Sequence, residues 1–90
     1  MKKRSLIKVY GHVQGVNFRS FVYKSATELQ LTGFVHNEED GTVVIEAEGE
    51  EEKLHELLKV CTKGPTYAQV EKIEHEFSEM LKDYSEFRFL

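Results

Sequence analysis

Two hydrophobic periods alternate along this chain. Residues 5–10 have a period of two, with Leu6, Lys8 and Tyr10 on one side and Ile7 and Val9 on the other, which predicts a first strand. Gly11 and Gly15 then bracket a short loop. Phe18, Val22, Ala26 and Leu29 recur at i, i+4, i+8 and i+11, which predicts a helix over 18–29 with Asn17 at its N-cap. The period returns to two over 31–37 and 42–48. The Glu38-Glu39-Asp40-Gly41 link between these strands ends in the Asp-Gly pair of a hairpin turn. In the second of them Val43, Ile45 and Ala47 face one way and Val44, Glu46 and Glu48 the other, so the sheet is expected to bury one face.

A second helix is predicted over 51–62. Leu54, Leu57, Leu58 and Cys61 form its apolar stripe, and the Glu50–Glu52 run complements its positive end on a solvated face. Lys59 and Lys63 sit at the negative end, and Gly64-Pro65 stops it. A strand over 67–77 follows, and its apolar parity slips between Val70 and Ile73, which predicts a bulge. A polar turn leads to a short strand over 86–90, with Phe87 and Phe89 paired in the core. The order β-α-β-β-α-β, with a short extra strand, predicts an α+β fold. It is a two-layer ferredoxin-like sandwich, an antiparallel sheet with both helices on one face.

Length and composition narrow the class. Ninety residues make one domain, 1–90, which buries about 60–65% of its unfolded surface in a single thin core. With 40% hydrophobic and 31% charged residues the chain is globular, not disordered. Its one cysteine, Cys61, excludes an internal disulfide and a cysteine-based zinc site, and is expected as a small core residue. No apolar run approaches the roughly 20 residues of a membrane span. The basic start is followed only by Leu6 and Ile7 before Lys8, so no signal-peptide apolar region is present. A reduced, cytoplasmic monomer is the expectation. His12, His36, His55 and His75 lack metal-ligand spacing, and alternation turns His36 away from its neighbour Asn37.

The net charge of −4 conceals an asymmetry. Lys2, Lys3, Arg4, Lys8, Arg19 and Lys24 all precede residue 25, whereas all sixteen acids follow it. A basic, acid-free segment on an acidic protein attracts a small anion locally and disfavours nucleic acid.

The chemistry concentrates in Gly11-His12-Val13-Gln14-Gly15-Val16-Asn17-Phe18-Arg19, which leaves a strand, passes two glycines and enters a helix. Such a turn aims backbone N–H groups into one concavity at the positive helix end, where a phosphate or carboxylate can sit. Arg19 can fork onto the same anion. A plain β-to-α turn with a solvated arginine has the same local pattern. Asn37, where its strand meets the hairpin, can fix a water without titrating, or can bond its own backbone in a turn.

The nine residues Gly11–Arg19 resemble the acylphosphatase signature G-x-V-Q-G-V-x-F-R. Two further segments agree in order and spacing. Residues 33–43, Gly-Phe-Val-His-Asn-Glu-Glu-Asp-Gly-Thr-Val, are similar to that family's G-[WF]-V-x-N-x-x-D-G-x-V. Residues 64–70, Gly-Pro-Thr-Tyr-Ala-Gln-Val, are similar to its G-P-x-x-A-x-V. Gln30 departs from the pattern, standing where relatives often place glycine after the first helix. The resemblance implies hydrolysis of the carboxyl–phosphate mixed anhydride of acyl phosphates to carboxylate and orthophosphate. Arg19 and the backbone N–H groups of Gln14, Gly15, Val16, Asn17, Phe18 and Arg19 would bind the phosphoryl group, and Asn37 would orient the attacking water for in-line displacement. No cofactor, metal or covalent intermediate is implied, and inorganic phosphate would be both product and competitive inhibitor.

Two other readings compete. One is a non-catalytic anion-binding or regulatory module, since the family resembles the N-terminal domain of larger hydrogenase-maturation proteins. The other is an RNA-binding sheet, which needs exposed aromatics and basic residues on its central strands. Val44, Glu46 and Glu48 stand there instead.

Overall fold

The computed structural model describes residues 1–90. Its elements are β1 (Lys2–His12), α1 (Phe18–Glu28), β2 (Thr32–Asn37), β3 (Val43–Glu50), α2 (Glu51–Lys63), β4 (Gln69–Ser78) and β5 (Phe87–Phe89). The strands form one sheet in the order β4-β1-β3-β2-β5. The first four pair antiparallel, as expected, but β5 pairs parallel to β2, so the sheet is mixed. The architecture is the α+β ferredoxin-like sandwich with a fifth edge strand.

One face of the sheet carries the core. Ile7, Val9, Val35, Val43, Ile45 and Ala47 meet Phe18, Val22 and Ala26 of α1 and Leu54, Leu57 and Cys61 of α2. These are the residues that the two periods mark. The parity slip in β4 is a real bulge: Tyr10 pairs with Lys72 and Gly11 with Val70, leaving Glu71 as the extra residue. Gly11 is required there, because a Cβ at its φ of 130° would collide with the Gln69 carbonyl.

Helix α1 ends without glycine. Gln30 adopts a left-handed φ of 61°, while the Gln30 amide donates to Thr27 O (3.0 Å) and the Leu31 amide to Ala26 O (2.9 Å). This paired closure is the Schellman ending, with glutamine in the position glycine occupies at least strain. The start of α1 differs from expectation. Asn17 is itself left-handed (φ 64°) and makes no side-chain capping bond; it joins the helix only through its carbonyl, which accepts from the Phe21 amide (3.0 Å).

The segment from Glu79 to Glu86 corrects the expected polar turn and the expected solvent-facing sheet. Strands β4 and β5 lie at opposite edges, so the chain joining them must cross the sheet face away from the helices. This strap is pinned by two carboxylates of β3. Glu48 accepts hydrogen bonds from the amides of Lys82, Asp83 and Tyr84. Glu46 pairs with Arg4 (2.8 Å) and Lys82 (3.1 Å), and Arg4 Nε reaches Met80 O (2.9 Å). Both acids are buried, although alternation alone places them in water. The aromatic ring of Tyr84 packs edge-on to Phe34 on the same face.

The basic segment is also resolved by the sheet. Lys3 pairs with Glu51 (3.3 Å), Arg4 with Glu46, and Lys8 with Asp40 (3.2 Å). Arg19 has no carboxylate side-chain partner within ion-pair distance.

Candidate active site

Strand β1 delivers the chain to one end of the sheet, and residues 13–17 turn it into α1. The turn has this shape because Gly15 (φ 74°) and Asn17 (φ 64°) are left-handed on either side of Val16. Val16 and the buried Val13 hold the loop against the core. None of the backbone amides from Gln14 to Ser20 donates to another protein group. The last three belong to the first helical turn, whose donors are always free of intrahelical partners. The others come from the glycine loop. A run of free donors at a positive helix end can hold an anion.

A cavity of about 200 Å³ opens beside this run, lined by Val13, Gly15, Asn17, Phe18, Arg19, Ser20, Asn37 and Phe89. Four of the six cradle residues that the sequence singles out therefore face it. Gln14 and Val16 do not line it. The Gln14 side chain turns the other way, its Nε2 donating to Glu38 O (2.8 Å) and Thr42 O (2.9 Å). Those two bonds tie the loop to the β2–β3 hairpin, and Asn37 ends β2 one residue before Glu38. Strand β3 separates β2 from β1, so Asn37 does not reach the loop through adjacent strands. It reaches it because the hairpin end and the loop lie at the same end of the sheet.

Asn37 Oδ1 is buried and has no hydrogen-bond partner in the protein. A buried acceptor left unpaired costs about 1–3 kcal/mol, so its retention beside a cradle of donors marks a place for a bound donor such as water. His36 faces away from this cavity. Its Nδ1 lies 3.2 Å from Asn37 O and its ring packs against Phe34 on the strap side.

Arg19 is held by groups the sequence reading did not single out. Its Nη1 donates to the main-chain oxygen of Leu90 (2.6 Å), and its guanidinium lies over the Phe89 ring, 4.9 Å from the centroid. Phe89 is thus a site residue and not core: it is 46% exposed, whereas Phe87, two residues earlier, is buried. Period-two alternation puts both rings on one side. Only the position of β5 at the sheet edge, over the start of α1, tells them apart. Ser20 likewise gives no sequence signal, being one small polar residue in a first helical turn.

The hairpin that carries Asn37 is braced by Asp40. Its Oδ1 accepts from the Thr42 amide (3.0 Å) and the Thr42 hydroxyl (2.6 Å), and these bonds, with Lys8 beyond, pull its carboxyl down to about 2. Cys61 plays no part in the cavity. Burial pushes its thiol up to about 12, so the thiolate is not available as a nucleophile. No three His, Cys, Asp or Glu side chains converge as a metal site would require. A larger cavity, about 300 Å³, lies at the other end of the sheet beside Lys2, Glu48 and Glu50. Of its three acids, Glu48 there holds the strap and Glu50 takes the N-terminal ammonium at 3.0 Å, which leaves Asp83.

Comparison with known proteins gives one result. The family model described as Acylphosphatase matches residues 6–89. The acylphosphatase of Caldanaerobacter subterraneus subsp. tengcongensis is 41% identical over 88 residues, 98% of each chain. The crystal structure of acylphosphatase from Bacillus subtilis superposes with a TM-score of 0.93 at 36% identity, covering 100% of this chain and 99% of that one. A full-length HypF, solved in a phosphate- and nucleotide-bound form, contains a similar unit (TM-score 0.92, 30% identity). This chain spans 12% of it.

Proposed function

This chain belongs to the acylphosphatase family, and from that premise we propose how its residues divide the hydrolysis of an acyl phosphate. The amides of Gln14, Gly15, Val16, Asn17, Phe18 and Arg19 and the Arg19 guanidinium bind the phosphoryl oxygens. Asn37 Oδ1 accepts a hydrogen bond from the attacking water and aims it at phosphorus in line with the leaving carboxylate. The new P–O bond forms to water as the P–O bond to the acyl group breaks. The acyl group departs as carboxylate, and the water's protons pass to orthophosphate and solvent.

The chemistry asks little more of the protein. The leaving carboxylate has a pKa near 4, so it departs without a general acid. Phosphoryl transfer of this kind depends on positioning and charge stabilisation, which a cradle of amides and one arginine supply. The observation that carries the reading is the unpartnered, buried Asn37 Oδ1 in the cavity that Arg19 and the loop amides share. Inorganic phosphate, as product, competes for the same cradle.

No helix is long and apolar enough to cross a membrane. We take the molecule to be one domain over residues 1–90 acting as a cytoplasmic monomer, without cofactor, metal or nucleic acid. A sedimentation measurement that returned a dimer would overturn the monomer reading.

The test is hydrolysis of benzoyl phosphate in chelator, wild type beside Asn37→Ala. Turnover is expected in the wild type and is expected to fall at least about 100-fold in the variant, with phosphate inhibition nearly unchanged. If phosphate affinity fell equally, Asn37 would be a phosphate ligand. Phosphate binding with no wild-type turnover would establish instead the non-catalytic anion-binding module.

A further inference from the structure

The cradle accounts for the phosphoryl half of the substrate and leaves the acyl half without a stated seat. We propose that Phe89, backed by Tyr23, forms an apolar shelf that receives the acyl group and selects neutral, apolar acyl phosphates, aromatic ones above all, over short or charged ones. This rests on the reading of the cavity as the phosphoryl site.

The cavity, about 200 Å³, is sealed at its apolar floor, Val13 and Phe18 each being 1% exposed. An acyl group attached to the bound phosphate must therefore leave through the mouth. Of the side chains that line the cavity, Phe89 alone is both apolar and open to solvent. The surface continues beyond it. Tyr23 is one helical turn after Arg19, 39% exposed, and its ring meets Phe89 edge-on with centroids 6.1 Å apart. Two large half-exposed rings, joined edge to face at the rim of a polar cavity, form an apolar surface continuous with the site.

Charge selects in the same direction. Arg19 is the one ionisable residue lining the cavity, and the phosphoryl group occupies it. A charged acyl tail sheds part of its hydration to lie against the rings of Phe89 and Tyr23, and the one cation that touches the shelf, Arg19, is engaged by the phosphoryl group. A neutral ring covers Phe89 and Tyr23 at no such cost. A methyl group covers almost none of that surface. Differences of this kind in apolar pockets are worth about 10-fold or more in kcat/KM.

The experiment compares kcat/KM for benzoyl, acetyl and succinyl phosphate in wild type, Phe89→Ala, Phe89→Leu and Tyr23→Ala. Comparing the benzoyl-to-acetyl ratio between proteins cancels the intrinsic reactivity of the two anhydrides. The wild type is expected to prefer benzoyl phosphate by about 10-fold or more, through a lower KM, with succinyl phosphate poorest. The ratio should collapse in Phe89→Ala, fall in part in Phe89→Leu and fall in Tyr23→Ala, which leaves the Arg19–Phe89 contact in place. Competition by inorganic phosphate in each variant reports a folded cradle. Hydrolysis of all three substrates with a ratio unmoved by these variants overturns the shelf and leaves the phosphoryl site standing. Failure of the wild type to hydrolyse any of them overturns the hydrolase reading, and the shelf with it.

Discussion

In two places this chain bends consecutive amides around a residue of positive φ, and it treats the two concavities in opposite ways. In the strap, Asp83 (φ 58°) sits within the run Lys82–Tyr84, whose amides converge on the carboxylate of Glu48. In the β1–α1 loop, Gly15 and Asn17 bend the run Gln14–Arg19, whose amides converge on no protein group. The strap receives an anion from its own fold, so its donors are satisfied once and for all and the result is structure. The loop is given Arg19 instead, which in the proposed function holds an anion that comes and goes. One backbone device makes a tether or a binding site according to whether the sequence supplies the counter-charge.

Removing the added cation breaks the contrast most directly. Arg19→Ala should cost about 3–4 kcal/mol of transition-state stabilisation, some 100- to 1,000-fold in kcat/KM, and should abolish phosphate inhibition together with catalysis. Inhibition constants measured beside turnover check this, and undiminished phosphate inhibition would mean that Arg19 is not part of the cradle.

Removing the internal anion should do the reverse. Glu48→Ala is expected to lower unfolding free energy by about 2–3 kcal/mol, because three amides lose a charge-assisted acceptor. The phosphate inhibition constant of the folded fraction should stay within about twofold. Denaturant titration and kinetics on one preparation separate the two effects.

A smaller test concerns positive φ itself. Gln30, like Asn17, occupies left-handed space without being glycine, but it sits at the end of α1 opposite the β1–α1 loop, lining the cavity that Glu48 and the strap residues Asp83 and Tyr84 also line. Gln30→Gly should stabilise by about 0.5–1 kcal/mol, since the native conformation costs a glycine nothing there, and should leave kcat alone. A loss of stability would show that the glutamine side chain, and not its backbone, matters at this turn.

The smallest effect sharpens the comparison through pH. Asp40 is another carboxylate satisfied by a nearby amide, here together with a hydroxyl, but it is half-exposed. Its carboxyl sits at about 2 in the fold against about 4 in the unfolded chain, so the unfolded state takes up the proton first as pH falls. Its contribution is thus present above pH ~4 and lost as pH drops through about 2. Thermal unfolding from pH 5 to 2 should show a loss in both proteins, since Glu46, Glu51 and Glu74 are also held low, but a modestly larger one in wild type than in Asp40→Asn, and parallel curves would remove Asp40 from the hairpin's stabilisation.

Much of this was legible in the residues alone. Both helices begin and end within a residue or so of where the spacing of Phe18, Val22 and Ala26 and of Leu54, Leu57 and Cys61 puts them, because a helical stripe is a local record of one buried face. The parity slip located the β4 bulge for the same reason. The nine residues from Gly11 to Arg19 carried the family and the cradle, since positive φ and a helix start are set by neighbours in the chain. What the tertiary structure decided was every question of what covers what. Alternation shows that Glu46 and Glu48 face away from the core, but only the placement of β4 and β5 at opposite edges sends a strap across them and buries them. It puts Phe87 and Phe89 on one side, but only the sheet edge makes one of them core and the other the rim of the site. Asn37 meets Arg19 across a loop and a hairpin that no sequence period links. Such pairings depend on loop closures between residues far apart in the chain, and a local pattern holds no record of its distant partner.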